Sequence, residues 1–242
     1  MKRFLLIQFR TDISVFHERD CFFRFFQRDL RLKIVNAFNK KINFSSPQKI
    51  IKKNKGIILG GSGEFYFSGN KGKKEKIFKE MLKRTAPLIK FLLQKDFPTL
   101  GICFGHQMLG YFLGVNSIND KKQSQTGSFL VRLTKEGKKD PLFSKIPQKF
   151  FAHFAHRDSL KVLPKKAKLL AKTKKCQIVA FRYKKKIFGV QFHPELNKKD
   201  MIFRLRLYPA YALKDLKSIE KKLKPCPFSS KVIENFIKIC SN

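Results

Sequence analysis

The sequence predicts an α/β protein in which an open, mostly parallel sheet is covered by helices on both faces. In the first half of the chain, short buried apolar runs alternate with amphipathic segments, which is typical of parallel strands joined by helices. In the second half, several strand-like runs follow one another between turns, so a small β-rich portion is expected there. The chain has 242 residues, of which 43% are hydrophobic and 29% charged, as in folded domains.

The first half contains three predicted strands and three predicted helices in alternation. The strands are apolar runs bounded by charged residues or glycine, at 4–9, 55–61 and 98–103. Helical spacing of Phe, Leu and Ile predicts a helix within 12–41. A period near 3.6 predicts an amphipathic helix over 75–96, with Pro87 as the point where it can break. A short helix over 106–114 is predicted to end at Gly114.

The second half begins with predicted strands and ends with predicted helices. The strands are separated by Gly, Pro or Lys-rich turns, at 128–134, 150–156, 167–173, 177–183 and 186–193. After Pro194 the pattern becomes helical again and closes with an amphipathic helix within 224–239. We expect 1–242 to form a single domain, with 201–242 as a C-terminal helical extension that packs on it.

The charge of the chain is its most unusual global property. Fifty-four Lys and Arg against 17 Asp and Glu give a net charge of +37, which would attract nucleic acid or an anionic membrane. The lysines, however, are scattered through nearly every segment of a Phe-rich chain without Trp, and no nucleic-acid-binding motif is present. We therefore interpret the charge as compositional bias and do not expect specific nucleic-acid binding.

The sequence favours a cytoplasmic location. No apolar run reaches the roughly 18 to 20 residues that span a bilayer, so no membrane association is expected. The N-terminal segment meets Gln8, Arg10 and Asp12 too early for a signal peptide. The five cysteines are odd in number and widely spaced, without a C-x-x-C pair, so neither a disulfide framework nor a metal site is predicted.

One cysteine lies in a context that predicts a nucleophile. The G-x-C-x-G run Gly101-Ile-Cys-Phe-Gly105 stands between a predicted strand and a predicted helix. Small flanking residues permit the sharp turn that presents a nucleophile above a sheet, and the helix N-terminus favours the thiolate of Cys103. The alternative is a buried cysteine between two packing glycines.

A His and a carboxylate follow the last predicted strand. His193 can act as a base near neutral pH, and Glu195, two residues on, can orient its ring, as in a Cys-His-acid triad. Pro194 fixes the chain between them. Alone, this sequence would more often form a surface turn, and its weight comes from the cysteine turn elsewhere in the chain.

Glycines follow the second predicted strand as Gly60-Gly61-Ser62-Gly63. Glycine lets backbone N–H groups approach a developing oxyanion without a Cβ in the way. A phosphate-binding loop is not predicted, because no G-K-[ST] follows. Alone, the segment would be an ordinary turn.

Together these motifs resemble the class I glutamine amidotransferase domain with its Cys-His-Glu triad. The resemblance covers roughly residues 4–196 and rests on LGICFGHQMLG (100–110), GVQFHPE (189–195) and the glycine turn, in this order. Within that superfamily, AHRDSLKVLP (155–164) and the Gln-x-x-Ala-Phe-Arg-Tyr run are most similar to standalone GMP-synthase-like amidotransferases and to γ-glutamyl peptidases. The resemblance implies a flavodoxin-like open sheet.

The resemblance also implies roles for individual residues. Cys103 would be the nucleophile, His193 the base and Glu195 its orienting partner. The enzyme would cleave the side-chain amide of glutamine, or a γ-glutamyl amide, through a thioester on Cys103 and release ammonia or an amine.

By the same resemblance, the amides of Phe104 and of the Gly60–Gly61 turn would hold the oxyanion. The family often has Gly-Gly-Pro at this turn, and the serine at position 62 leaves the choice between the Gly61 and Ser62 amides open. Gln107 matches the position that contacts the substrate glutamine. His156 and Asp158 in AHRDS match a pocket-lining signature, and a structural role for His156 remains an equal alternative.

No metal or organic cofactor is implied. The substrate would be glutamine or a γ-glutamyl compound, and a synthetase partner chain is the expected recipient of ammonia. One alternative is a free hydrolase of γ-glutamyl compounds. A second is a non-catalytic polyanion-binding protein on the same scaffold, against which the intact Cys103, His193 and Glu195 argue.

Overall fold

A computed structural model describes residues 1–27, 29–212 and 215–241. The strands are β1 (Lys2–Gln8), β2 (Leu30–Asn36), β3 (Gly56–Leu59), β4 (Thr99–Ile102), β5 (Ser117–Asn119), β6 (Gln125–Leu133), β7 (Lys149–His156), β8 (Asp158–Leu160), β9 (Ala167–Lys172), β10 (Ala180–Tyr183) and β11 (Ile187–Val190). The helices are α1 (Ser14–Phe23), α2 (Pro47–Ile51), α3 (Lys73–Lys95), α4 (Phe104–Phe112), α5 (Lys135–Lys139), α6 (Lys198–Leu207), α7 (Leu216–Lys222) and α8 (Lys231–Ile239). Short 3₁₀ turns lie at Pro141–Phe143 and Pro209–Ala212.

Nine strands form one sheet in the order β2-β1-β3-β4-β11-β10-β9-β6-β7. The strands from β2 to β11 are parallel, and β10, β9, β6 and β7 extend the sheet by antiparallel pairing. In the centre, β4 pairs with β11 so that Gly101 is opposite Gly189 and Ile102 opposite Val190. The predicted α/β fold class, with a β-rich second half, is confirmed.

The parallel strands are buried on both faces, which explains their continuous apolar runs. In β1, Phe4 and Leu6 point into one core cluster, whereas Leu5 and Ile7 point into the other. Phe22 of α1 and the apolar face of α8 belong to the first cluster. The buried side chains of α3 and α4 belong mostly to the second.

The helix predicted within 12–41 is correct only for its first part. The structure has α1 there, followed by the strand β2, which we did not predict. Leu30, Leu32 and Ile34 are half-buried, whereas the intervening Arg31 and Lys33 are exposed. This alternation has the period of two that a strand requires, and the Phe-rich run before it obscured that period.

Pro87 does not break the helix predicted over 75–96. Helix α3 runs through it, with Thr85, Leu88 and Leu92 buried on its inner face on either side of the proline. Tertiary packing of that face therefore outweighs the hydrogen bond that the proline removes. The small antiparallel sheet of β5 and β8 was also not predicted, because three-residue strands carry too little pattern.

Within the predicted extension 201–242, Leu213, Lys214 and Asn242 lie outside the described residues. Elsewhere in it, Val232, Ile233 and Phe236 of α8 are fully buried in the same core cluster as Phe4 and Phe188. Among the helices described, none is long and apolar enough to cross a membrane. The single-domain boundary of 1–242 stays a prediction.

Candidate active site

Cys103 lies in a strained turn between β4 and α4. Its φ of 51° and ψ of −100° are rare for a residue with a side chain. The turn closes through two main-chain hydrogen bonds, from Cys103 N to Val190 O (2.8 Å) and from Gly105 N to Gly60 O (3.1 Å). The nucleophile elbow predicted from the sequence is therefore present in its geometry.

The flanking glycines are required by close backbone contacts. A Cβ at Gly101 would lie 2.4 Å from Gly105 O, and a Cβ at Gly105 would lie 2.2 Å from Leu59 O. Both distances are far below van der Waals contact, and the atoms met are main-chain atoms that cannot turn aside.

Gly105→Ala is therefore expected to destabilise the fold by about 3 kcal/mol, because the added methyl overpacks a backbone contact. Denaturant unfolding measures the loss. Gly72→Ala is the matched control: its φ is 57°, but a Cβ there meets nothing within 4 Å, so only backbone strain of about 1 kcal/mol is expected. Equal losses at the two positions would show that the contact with Leu59 is not what requires Gly105.

His193 and Glu195 follow β11 and face each other directly. His193 Nδ1 lies 2.8 Å from Glu195 Oε1, and both side chains are buried. The main chain around them is held by bonds from His193 N to His153 O (2.8 Å) and from Arg24 Nη2 to Glu195 O (2.7 Å). The carboxylate is thus placed to orient the ring, as the motif predicts.

The electrostatics of the pair favour a charged imidazole. Burial alone would lower the pKa of His193, but the Glu195 carboxylate and the neighbouring Cys103 outweigh it and raise the pKa to about 10. Burial likewise opposes the charge of Glu195, whereas His193 lowers the pKa of that carboxyl. A cationic His193 beside Cys103 stabilises the thiolate, which is the reactive form.

Cys103 and His193 meet beside Gly61. A Cβ built on Gly61 would lie 3.1 Å from His193 Cε1 and 3.9 Å from Cys103 Cβ, so the two side chains border the same point. Each residue is only 4% exposed. The structure therefore brings the three predicted catalytic residues together at the carboxyl ends of the adjacent strands β4 and β11, where open α/β sheets bind their ligands.

The glycine turn after β3 also lies at this point. Gly61 N–H donates to Glu18 Oε1 at 3.2 Å. By contrast, neither Ser62 N–H nor Phe104 N–H has a hydrogen-bond partner within the described part of the chain. The Ser62 hydroxyl accepts hydrogen bonds from Glu64 N and Phe65 N, both at 3.2 Å, which fixes the turn.

Gln107 and the AHRDS segment border a narrow cavity of about 10 Å³ that Cys103 also lines. Gln107 Nε2 donates to Asp158 O (2.8 Å) and to Gln191 Oε1 (3.2 Å). Burial lowers the pKa of His156 to about 4, so its ring is neutral. Asp158 accepts hydrogen bonds from the amide and hydroxyl of Ser68, both 2.8 Å long, which anchors the segment.

Sequence reasoning missed the Arg10–Glu18 pair and the tyrosines that cover the site. Arg10 Nε lies 3.0 Å from Glu18 Oε1, and both side chains are buried at the end of β1 and in α1. The R-T-D-x-S-x-x-H-E run directly after a buried strand was the available signal. Tyr208 and Tyr211 line the cavities beside His193 and Cys103, and no local pattern marks them.

One group of side chains has the spacing of a metal site. Ligand atoms of His17, Cys21 and Asp200 lie within 4.8 Å of one another. However, Arg204 Nε donates to His17 Nδ1 (2.7 Å), and Arg24 Nη2 donates to Asp200 Oδ2 (2.7 Å). Burial also raises the pKa of the Cys21 thiol. Two guanidinium groups repel a cation, so this group is a hydrogen-bond network.

A cysteine in a strained strand-to-helix turn, a His-Glu pair and a glycine turn define a cysteine-dependent amide-cleaving site on an α/β sheet. Residues 24–204 match the model of the family described as glutamine amidotransferase class-I. The chain therefore belongs to the class I glutamine amidotransferases, which confirms the family indicated by the motifs.

Relatives and solved structures agree with this assignment. The chain is 29% identical over 214 residues to a GMP synthase (glutamine-hydrolyzing) subunit of Methanosphaera stadtmanae, covering 87% of this chain and 89% of that protein. It is 32% identical over 216 residues to GMP synthase of Borreliella burgdorferi, covering 84% of this chain but 39% of that longer protein. A glutamine amidotransferase structure from Thermotoga maritima has the same fold, with a TM-score of 0.69, 21% identity and coverage of 99% and 97%.

The first curated relatives are much longer than this chain. The matched region makes up 26%, 30% and 39% of the first three. It makes up 79% to 89% of the relatives named as one GMP synthase subunit. The activity, substrates and partners of the longer proteins therefore reach this chain only as proposals.

Proposed function

We propose that this chain hydrolyses the side-chain amide of glutamine through a thioester on Cys103. The observation that carries the proposal is the side chain of Cys103 in a strained turn beside a buried, cationic His193 paired with Glu195. No metal or organic cofactor takes part in the proposed steps.

In the first step, Cys103 Sγ attacks the amide carbonyl, and the C–N bond breaks from a tetrahedral oxyanion. His193 gives its proton to the departing nitrogen, which leaves as ammonia. In the second step, His193 takes a proton from water, the water oxygen attacks the thioester, and glutamate and the Cys103 thiol are released. Glu195 holds the ring of His193 and stabilises its charge through both steps.

The oxyanion is assigned to the Phe104 amide and to one amide of the glycine turn. Because Gly61 N–H donates to Glu18 whereas Ser62 N–H has no partner in the ranges described, the geometry favours Ser62 for the second donor. A proline at this position, common in the family, would have no N–H to offer. Gly60 contributes by its carbonyl, which accepts from Gly105 N, and Gln107 by contacting the substrate.

Ser62→Pro is expected to lower kcat about hundredfold, because it removes one oxyanion donor. Ser62→Ala is the control, since it loses the hydroxyl bonds to Glu64 and Phe65 but keeps the amide. Steady-state glutaminase kinetics of the two folded variants measure the difference. Equal activity of Ser62→Pro and Ser62→Ala would return the assignment to the Gly61 amide.

The raised pKa of His193 predicts a loss of stability at alkaline pH. Its value of about 10 lies above the ordinary 6.5, so the stabilisation is complete below about pH 6.5 and is lost as the pH rises through about 10. Urea unfolding across this window should show a steeper decline of the free energy of unfolding for the wild type than for His193→Gln. Parallel curves would contradict a charged His193 in the native state.

We further propose that the ammonia passes to a synthetase partner in the cytoplasm, with 1–242 acting as one amidotransferase domain. The support is the likeness to relatives named as one GMP synthase subunit. The competing function, a free hydrolase of γ-glutamyl amides, is supported by the second cavity beside His193.

The test of the proposed function is an ammonia-release assay with glutamine and without ATP, with Cys103→Ala as the control. We expect release by the wild type only. If the folded wild type releases nothing from glutamine or from any γ-glutamyl amide, alone or with a synthetase chain, the proposed function is wrong. Activity that appears only after a synthetase chain is added would reject the free hydrolase.

A further inference from the structure

Arg204 of α6 is a buried cation without a carboxylate partner. Its side chain belongs to a residue only 4% exposed, and no ion pair involves it within the described residues. Its Nε donates to His17 Nδ1, whereas its Nη2 is buried without any hydrogen-bond partner. Burying an unpaired guanidinium is costly, so the molecule must gain something from it.

The acidic side chains near Arg204 are already paired with other cations. Glu18 pairs with Arg10 at 3.0 Å, Glu195 with His193 at 2.8 Å, and Asp200 with Arg24 at 2.7 Å. Burial and then repulsion by Arg10 both lower the pKa of Arg204. The surroundings therefore leave this guanidinium ready for one more anion.

Arg204 borders a cavity of about 20 Å³ that lies beside the catalytic acid. His193, Arg10, Ser62, Tyr208 and Tyr211 complete its lining. Cys103 and Gln107 line a different cavity, and only Ser62 and Tyr211 border both.

The two cavities correspond to the two sides of the scissile bond. Because His193 protonates the departing nitrogen, the cavity that it shares with Arg204 lies on the side of the leaving group. The cavity with Cys103 and Gln107 then takes the glutamyl part.

We propose that Arg204 binds a carboxylate on the amine part of the substrate, so that the enzyme prefers γ-glutamyl amides of amino acids or peptides to their neutral counterparts. This inference rests on the proposed function and adds a substrate class to it. A guanidinium matches a carboxylate with two parallel hydrogen bonds, and Nη2 is free to supply one of them. The cavity now has room for about one water molecule, so Tyr208 and Tyr211, which line it, must move outward to admit the amine part.

The reaction is the one already written, with the amine in place of ammonia. The γ-carbonyl C–N bond breaks, the thioester on Cys103 forms, His193 protonates the amine nitrogen, and water releases glutamate. No oxidant, reductant or further reactant is needed.

The test compares γ-glutamylglycine with γ-glutamylglycinamide, which differ only by a carboxylate against a carboxamide. For the wild type, we expect kcat/KM to favour γ-glutamylglycine at least tenfold, as expected for a hydrogen-bonded charged group. Arg204→Met should bring this ratio close to one, and Arg204→Lys should restore part of it. The matched control is Arg206→Met on the same helix, whose exposed side chain pairs with Glu220 and should keep the wild-type ratio.

A wild-type ratio near one, or an unchanged ratio in Arg204→Met, would overturn the proposal. If Arg204→Met slows both substrates equally, the arginine binds the glutamyl carboxylate, and the leaving-group assignment is wrong. If Arg204→Met does not fold, calorimetry on Cys103→Ala decides: γ-glutamylglycine should bind at least tenfold more tightly than the glycinamide, and equal affinity would reject the site. Selective binding without turnover of any substrate by the wild type would count against the proposed function and not against this site.

Discussion

Cys103→Ala is expected to lower amide hydrolysis by roughly 10⁵- to 10⁶-fold, because no other group can form the thioester. A glutamine-mimicking electrophile should label Cys103 and spare the other four cysteines near neutral pH. Burial raises the pKa of Cys176 and Cys240 to about 12 and that of Cys226 to about 11, and it also raises the pKa of Cys21. These thiols therefore remain protonated and unreactive.

Mass-spectrometric mapping of the adduct measures this prediction. Cys226→Ala is the matched control, because Cys226 is the most accessible of the other cysteines and lies outside the catalytic cluster. It should keep full activity and full labelling at Cys103. An adduct found mainly on another cysteine would remove the basis for Cys103 as the nucleophile.

His193→Ala is expected to lower kcat by at least about 10³-fold, because it removes both the base and the acid of the reaction. Glu195→Gln should cost less, about ten- to a hundredfold, since glutamine keeps a hydrogen-bond acceptor for Nδ1 but loses the charge that stabilises the imidazolium. The same substitution should lower the pKa of His193, because the Glu195 carboxylate contributes to raising it.

Single-turnover kinetics and NMR titration of the His193 ring test these two variants together. Near-normal turnover in His193→Ala would reject the triad. An unchanged pKa of His193 in Glu195→Gln would show that the carboxylate does not hold the ring in its charged form.

The local motifs predicted the central part of the site because each depends on its own neighbours. Gly101 and Gly105 are required by contacts within one turn, and His193 is two residues from the carboxylate that it contacts. Short-range requirements of this kind are written in consecutive residues. The fold class followed in the same way from the runs that form β1, β3 and β4.

The parts that were missed depend on contacts between distant segments. Tyr208 OH donates to Asp12 Oδ2 at 2.5 Å, although almost the whole chain separates the two residues. Arg204 is similarly brought to His17 by packing of α6 on α1. No periodicity in either segment indicates which remote segment it meets, so sequence reasoning could not place these residues at the site.

The pairing of β4 with β11 has a consequence for how the enzyme comes into being. These neighbouring strands carry Cys103 and His193, yet every strand from β5 to β10 lies between them along the chain. Closing so long a loop is entropically costly and slow compared with forming local hairpins. Catalytic competence is therefore a late event in folding: a growing chain on the ribosome carries the cysteine long before its histidine, and it becomes an enzyme only when β11 inserts beside β4.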